Sequence, residues 1–112
     1  MHKEELKQLS EYYLRHILDD VMPFWDARCV DEECGGFFTC FDRQGKLTDD
    51  NKYIWFQGRQ TYTYALLYNH IEKRRDWLDK ARHGFRFLAD KAYAGGGRWN
   101  YKLDRQGHVL VG

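Results

Sequence analysis

Apolar residues follow two different spacings along this chain, which predict helices in some stretches and β-hairpins in others. In residues 4–22 they recur every three or four positions, as on one face of an amphipathic helix. This stripe consists of Leu6, Leu9, Tyr13, Ile17 and Val21. Because a proline disfavours helical geometry at the residue before it, we expect the helix to end before Pro23 and a loop to follow over residues 24–26.

Short runs of strand-forming residues flank the tetrapeptide Asp-Arg-Gln-Gly at residues 42–45 and again at residues 104–107. Aspartate suits the first position of a hairpin turn, and glycine supplies the positive φ that such turns require. The pattern predicts one hairpin over residues 37–48 and a second over residues 99–111. We expect both to pack on helices, because an isolated hairpin is only marginally stable in water.

Two further helices are predicted between the hairpins, over about residues 50–74 and 76–92. The first has Asp50 or Asn51 as its N-cap, and apolar residues nearly encircle it, as in a helix that is buried on all sides. These residues are Tyr53, Ile54, Trp55, Phe56, Tyr62, Tyr64, Ala65, Leu66, Leu67, Tyr68 and Ile71. The second helix stops at the run of glycines at 95–97. Its single apolar stripe is Trp77, Ala81, Phe85, Leu88 and Ala92.

The two turns mark a repeat, since Asp42 and Asp104 lie 62 residues apart and each turn follows a Gly-Gly pair and an aromatic-rich run. Chance recurrence of a tetrapeptide is the alternative, but the flanking segments match as well. We infer a helix–helix–hairpin unit of about 62 residues, with the second unit incomplete. Three helices cannot enclose one of their number, so we interpret residues 1–112 as a fragment of one larger domain.

The composition has one unexpected feature, its high content of aromatic residues. The 112 residues carry a formal net charge of +1, which argues against a dedicated nucleic-acid-binding protein. No apolar run approaches the ~20 residues of a membrane span, and no signal peptide opens the chain. Cys29, Cys34 and Cys40 fit no zinc or redox motif, so we expect reduced thiols in a cytoplasmic protein, with a disulfide pair as the alternative. Aromatic residues reach 17%, so some rings are expected to face a ligand or further protein.

Sequence blocks in a fixed order resemble one protein family. The two most specific are Gly-Gly-Phe-Phe-Thr-Cys at residues 35–40 and Trp-Phe-Gln-Gly-Arg-Gln at residues 55–60. Over about residues 12–111 the chain resembles the N-terminal part of the N-acylglucosamine 2-epimerase family, more than the related cellobiose 2-epimerases. One departure is Tyr62, where many members carry Trp.

The resemblance implies an all-α fold with short β-hairpins, the N-terminal part of an (α/α)6 toroid whose inner helices line a central pocket. An amphipathic outer helix followed by an inner helix with apolar residues all round agrees with this arrangement. Six units of the inferred period would give about 370 residues. The chain would then be a little under two of the six units of a single domain.

The resemblance also implies a chemistry, the interconversion of N-acetylglucosamine and N-acetylmannosamine or the isomerisation of related sugars. Removing a proton next to the sugar carbonyl needs a base, an acid and positive charge at the developing enediolate oxygen. In the family, histidines on later inner helices act as base and acid. The histidines of this chain lie in no matching motif and are interpreted as surface or helix-end residues, so the chain alone is expected to be inactive. They are His2, His16, His70, His83 and His108.

Arg59 is the predicted catalytic and substrate-binding residue. It interrupts an aromatic helix that we expect to be buried, where a charge is costly unless it is paired or meets a ligand. Its guanidinium can donate two parallel bonds to sugar oxygens, and the matching arginine of the family is a pocket residue implicated in activity. A structural ion pair is the alternative. Trp55 and Tyr62, one turn to either side, are further substrate-binding candidates, with packing as their alternative.

The sequence therefore favours a sugar 2-epimerase, of which this chain is an N-terminal portion. The alternatives are an aldose–ketose isomerase on the same fold and a non-catalytic, truncated helical module. An amino sugar or simple aldose is the expected substrate, a homodimer is the expected assembly, and no metal, cofactor, nucleic acid or membrane is expected. Lys52 and Asp50 are expected to fix a hairpin to the start of the second helix.

Overall fold

The computed structural model describes residues 2–112, which form an all-α fold with short β-hairpins, as predicted. The helices are α1 (Lys3–His16), α2 (Met22–Asp26), α3 (Ile54–His70) and α4 (Arg75–Phe87). The strands are β1 (Cys40–Phe41), β2 (Leu47–Asp49), β3 (Lys52–Tyr53), β4 (Tyr93–Gly95), β5 (Arg98–Trp99), β6 (Lys102–Leu103) and β7 (Val109–Val111). Two π-helical segments, Ile17–Val21 and Leu88–Ala92, join α1 to α2 and extend α4.

The N-terminal helix continues past Pro23, so the prediction that the proline ends it is wrong. The segment Ile17–Val21 is wound more widely than an α-helix, and the Met22 N–H bonds the carbonyl of Ile17, five residues back. Pro23 then lies in the first turn of α2, where its missing N–H is not needed. Residues 24–26 are consequently helical, and the predicted loop begins only after Asp26.

The predicted apolar stripe runs along α1 and the π-helical segment after it, but no other part of the described chain covers it. None of the residues of α1 is buried. The five stripe residues are all exposed, and they are Leu6, Leu9, Tyr13, Ile17 and Val21. The radius of gyration, 16.1 Å, accordingly exceeds the about 13 Å expected of a compact domain of this length.

The main core lies where α3 and α4 pack together over the loop that precedes β1. It consists of Met22, Cys29, Phe37, Tyr64, Leu67, Trp77 and Ala81. The helices approach closely at Gly84, where an added Cβ would lie only 2.1 Å from Thr61 Oγ1 and 2.5 Å from the Phe37 ring. A glycine is therefore required at this crossing. A smaller cluster of Ile54, Phe87, Ala92 and Leu103 lies where the second hairpin meets the start of α3.

The start of α3 differs from the prediction, because neither Asp50 nor Asn51 caps it. The residues before the helix form β3, which pairs antiparallel with β6 of the second hairpin. The N–H of Ile54 then donates to the carbonyl of Tyr101 at 3.0 Å. Pairing with a strand about fifty residues further along the chain thus takes the place of a side-chain cap, and the helix begins three or four residues later than predicted.

Within residues 2–112, α3 is buried on one side, and the buried residues of α4 differ in part from its predicted stripe. In α3 only Ile54, Gln57, Tyr64 and Leu67 are buried, and the helix ends at His70. In α4 the buried residues are Trp77, Ala81, Gly84 and Phe87, so the predicted stripe residue Phe85 points outward and is 66% exposed. The helical segment after α4 ends at Ala92. Of the three glycines, Gly95 ends β4, and Gly96 and Gly97 form the tight turn to β5. They are therefore not the stop signal of this helix.

The two hairpins have the same geometry as well as the same turn sequence. Asp42 accepts the Lys46 N–H on its side chain at 2.8 Å, and Asp104 accepts the His108 N–H in the same way at 2.8 Å. The glycine that ends each turn has a positive φ, 83° in the first and 95° in the second. Strand register repeats with an offset of 62 residues, because Cys40 opposes Asp49 and Lys102 opposes Val111. The division of the chain into helix–helix–hairpin units stays a prediction.

Candidate functional site

The three predicted site residues lie on one open face of α3. Trp55, Arg59 and Tyr62 are spaced by four and three positions, which places them along one side of the helix. Trp55 is 54% exposed and Tyr62 is 63% exposed. The Arg59 guanidinium lies 5.6 Å from the centre of the Trp55 ring, within the range of a cation–π contact. The face therefore combines a positive charge with two aromatic rings.

Arg59 is exposed in this chain, and burial of its helix on all sides by further protein stays a prediction. The neighbours of α3 in residues 2–112 cover only the opposite side of the helix, around Tyr64 and Leu67. None of the ion pairs formed within these residues includes Arg59.

An aromatic row extends this face towards the second hairpin, which the sequence pattern did not reveal. The rings of Trp55 and Phe56 stack with centroids 4.4 Å apart, and Phe56 meets Tyr53 edge-on at 6.2 Å. Tyr53 in turn meets Tyr101 edge-on at 6.3 Å. Since Tyr101 belongs to the second hairpin, the row connects that hairpin to Arg59 through a continuous line of rings.

The buried side of α3 is anchored by Gln57, a residue that sequence reasoning missed. Its amide oxygen accepts the N–H of Phe37 and its amide nitrogen donates to the carbonyl of Phe37, both at 2.8 Å. His83 of α4 contacts the carbonyl of the preceding residue, Gly36, at 2.8 Å. His83 is half-buried in the middle of α4, so the interpretation of every histidine as a surface or helix-end residue is wrong for this one.

A buried cluster of charges lies at the start of α3. The Lys52 ammonium donates to Asp31 Oδ2 at 2.7 Å, and the Arg105 guanidinium donates to both oxygens of Asp31 at 3.2 and 3.3 Å. Burial alone would raise the pKa of the Asp31 carboxyl, but the hydrogen bonds from Arg105 and Lys52 outweigh it and lower that pKa to about 2. Asp31 is therefore a carboxylate at neutral pH, and it holds Lys52 and the second hairpin together. Asp50, by contrast, is exposed.

A second buried polar network links α2, α3 and α4. Asp26 accepts the Tyr64 hydroxyl at 2.9 Å and the Trp77 indole N–H at 3.1 Å, and Tyr64 also lies 3.2 Å from Cys29 Sγ. Burial raises the pKa of both the Tyr64 hydroxyl and the Cys29 thiol. Both groups are consequently protonated at neutral pH, where they act as hydrogen-bonding core residues.

The described residues bring together no set of three or more His, Cys, Asp or Glu side chains that could hold a metal ion. Cys29, Cys34 and Cys40 are free thiols. Within residues 2–112, none of the helices has the length and apolar character that crossing a membrane requires.

Comparison with known proteins shows to which family this chain belongs. The family model described as N-acylglucosamine 2-epimerase (GlcNAc 2-epimerase) matches residues 36–111, which include both hairpins, α3 and α4. The chain belongs to the N-acylglucosamine 2-epimerase family. This family member is 45% identical over 91 residues to the N-acylglucosamine 2-epimerase of Mus musculus, and 48% identical over 73 residues to that of Homo sapiens. The two alignments cover 79% and 63% of this chain.

The chain spans only about a fifth of the length of these curated relatives, 22% of the mouse protein and 17% of the human one. Among solved structures, this family member is similar to the cellobiose 2-epimerase of Spirochaeta thermophila, with a TM-score of 0.82 at 20% identity. That match covers 97% of this chain and 27% of the other. The cellobiose 2-epimerase of Bacillus thermoamylovorans is similar at a TM-score of 0.75 and 25% identity, over 88% of this chain and 26% of the other. The fold is therefore that of part of an (α/α)6 toroid.

Proposed function

We propose that the complete gene product containing this chain is a sugar 2-epimerase that interconverts N-acetylglucosamine and N-acetylmannosamine. The observation that carries the proposal is the open face of α3, where Arg59 lies over Trp55 at 5.6 Å with its donors free of any ion pair within residues 2–112. The family match at residues 36–111 supports the same activity. This chain contributes one side of the sugar pocket.

In the proposed reaction, a base removes the proton from C2 of the ring-opened sugar and the electron pair moves to the carbonyl oxygen. The Arg59 guanidinium donates hydrogen bonds to the resulting enediolate oxygen and offsets its negative charge. An acid then returns a proton to the opposite face of C2, so the epimer forms with no change in composition. Trp55 presents a flat ring for the apolar C–H face of the sugar, and Tyr62 borders the same face. The base and the acid lie outside this chain.

The setting of this activity is part of the proposal. We place the protein in carbohydrate metabolism in the cytoplasm, because its three cysteines are free thiols and suit a reducing compartment. We also propose a homodimer. The apolar residues left exposed on α1 and α4 support assembly with further protein.

Substitution of Arg59 tests the proposed function. In the complete gene product, Arg59→Ala should lower kcat with N-acetylmannosamine by about 100-fold or more, because a donor to the transition-state oxygen is lost. Its free energy of unfolding should change by less than about 1 kcal/mol, because Arg59 forms no ion pair within residues 2–112. Arg86→Ala, which removes an exposed arginine of α4, is the control and should leave kcat unchanged.

Parallel assays with mannose distinguish epimerisation of the amino sugar from aldose–ketose isomerisation. Turnover of mannose alone would replace the proposed substrate. A loss of stability in Arg59→Ala as large as its loss of turnover would instead assign Arg59 a structural role.

A further inference from the structure

Lys52 lies two residues before α3 begins, and its side chain has no exposed surface. Its ammonium has three donors and meets three acceptors, namely Asp31 Oδ2 at 2.7 Å, the Arg105 carbonyl at 2.9 Å and the Gly35 carbonyl. The ammonium also lies 5.0 Å from the centre of the Phe87 ring. Every donor of this buried cation is therefore used within the described chain.

The three acceptors belong to two segments that are distant in sequence and meet at Lys52. Asp31 and Gly35 lie in the loop before β1, Arg105 lies in the turn of the second hairpin, and Lys52 itself is in β3. Lys52 thus joins the loop and the hairpin to the residue pair from which α3 starts. Together with Gln57, which holds Phe37 one turn further along, Lys52 restrains rotation of α3 about its own axis.

Charge balance does not require a lysine at this position. Without Lys52, the Asp31 carboxylate would still be paired with the Arg105 guanidinium through two hydrogen bonds. Burying an ammonium costs free energy that an apolar side chain of similar length would not incur. What the lysine adds is directional bonding at the start of the helix that carries Trp55 and Arg59.

Rotation of α3 would displace the Arg59 guanidinium directly. A rotation of about 10° moves a group ~7 Å from the helix axis by about 1 Å. A displacement of that size at a catalytic group can lower a rate by about 100-fold. A change in the contacts of Lys52 that rotated α3 by this amount would therefore alter the geometry of the open face.

We propose that Lys52 is a positioning residue that sets the orientation of Arg59 and Trp55 towards the sugar through the joint it forms with Asp31, Gly35 and Arg105. Lys52 touches no substrate and acts only through α3. This inference rests on the proposed function, which it deepens.

The test compares Lys52→Met with Asp26→Asn in the complete gene product. Methionine fills the space of the lysine stem, and Arg105 keeps Asp31 paired, so the variant should fold. Asp26→Asn perturbs a buried network of similar extent around Tyr64 and Trp77, away from the start of the helix. Both variants are assayed with N-acetylmannosamine at a temperature where circular dichroism shows them fully folded.

We expect Lys52→Met to lower kcat by about 10- to 100-fold while KM changes by less than about 3-fold. Asp26→Asn should keep kcat within about 2-fold of the wild type, whatever stability it loses. A kcat of Lys52→Met within about 2-fold of wild type would overturn the inference. So would equal losses in the two variants, because they would indicate a general effect of damage to the core.

Amide hydrogen exchange of the same proteins separates this inference from the proposed function. The Ile54 amide, which donates to Tyr101, should exchange at least about 10-fold faster in Lys52→Met, and amides at the C-terminal end of α3 should not change. If the wild type turns over no sugar, the proposed function fails and this measurement alone decides whether Lys52 fixes the start of the helix. An unchanged exchange rate of the Ile54 amide would then refute the claim that Lys52 fixes the start of α3.

Discussion

At the scale of single residues, the two glycines within the long helices have opposite roles. Gly84 lies at the crossing of α3 and α4, where a Cβ would overlap Thr61 Oγ1 at 2.1 Å. Gly58 lies next to Arg59, and a Cβ there would meet nothing within 4 Å. The same residue type is thus a packing requirement in one helix and a conformational weakness in the other.

A pair of alanine substitutions measures this difference. Gly84→Ala should lower the free energy of unfolding by about 2 kcal/mol or more, because the helices must separate to admit the methyl group. Gly58→Ala should raise it by up to about 1 kcal/mol, since alanine favours the helical state. Both values come from urea denaturation of this chain followed by circular dichroism. A loss of stability in both variants would contradict the open surroundings of Gly58.

At the scale of elements, the sequence pattern correctly predicted three long helices and the two hairpins with Asp-Arg-Gln-Gly turns. It missed the β4–β5 hairpin, and several boundaries were wrong. Pro23 does not end the helix, because a π-helical segment precedes it and accommodates its missing N–H. Asp50 does not cap α3, because β3 lies between them and pairs with a strand of the distant second hairpin. Spacing along the chain placed Trp55, Arg59 and Tyr62 on one face of α3. The support beneath that face, by contrast, depends on pairs such as Asp31 with Arg105, which lie 74 residues apart and leave no local pattern.

The pairing of Asp31 with Lys52 and Arg105 should make the free energy of unfolding depend on pH in the acid range. The pKa of Asp31 falls from 3.8 in the unfolded chain to about 2 in the folded one, so folding favours the carboxylate. The resulting stabilisation, about 2 kcal/mol, is complete above pH ~5 and is lost as the pH falls towards ~2. Urea denaturation at successive pH values should show this loss in the wild type.

Two asparagine variants isolate the contribution of Asp31 to this pH dependence. Asp31→Asn should not show this loss of stability in acid. The variant should also be less stable at neutral pH, because Lys52 stays buried without its carboxylate partner. Asp79→Asn, which removes one partner of the exposed pair with Arg75, should still show the loss in acid. The same acid profile in Asp31→Asn and in the wild type would show that other carboxylates cause the effect.

At the scale of the whole molecule, the high aromatic content has a structural explanation. Trp55, Tyr62 and Phe85 are exposed, as is the stripe of α1, and the chain is elongated with dimensions of 50 × 34 × 27 Å. Composition predicted that some rings would face a ligand or further protein, and the apolar residues all round the helix predicted that α3 needs further neighbours. Neither could indicate which side of α3 stays open, because that depends on how α4 and the loop before β1 pack against it.

The 112-residue chain by itself should therefore self-associate. Apolar faces on α1 and α3 that meet only water favour association between copies. Analytical ultracentrifugation should show species larger than a monomer at micromolar concentration, and replacing Leu6 and Tyr13 by glutamate should reduce their fraction. A single monomeric species in the wild type would show that these faces do not drive association.

The second hairpin has a consequence for the order in which the chain folds. The first hairpin closes between residues less than ten positions apart, whereas Lys52 and the Arg105 carbonyl are 53 positions apart. Closing the longer loop costs more chain entropy, so docking of the second hairpin should follow formation of α3 and α4. We expect these late contacts to form after the rate-limiting step, so weakening them should speed unfolding while leaving the folding rate nearly unchanged. The contacts of Lys52 would then lower the rate at which this part of the protein unfolds.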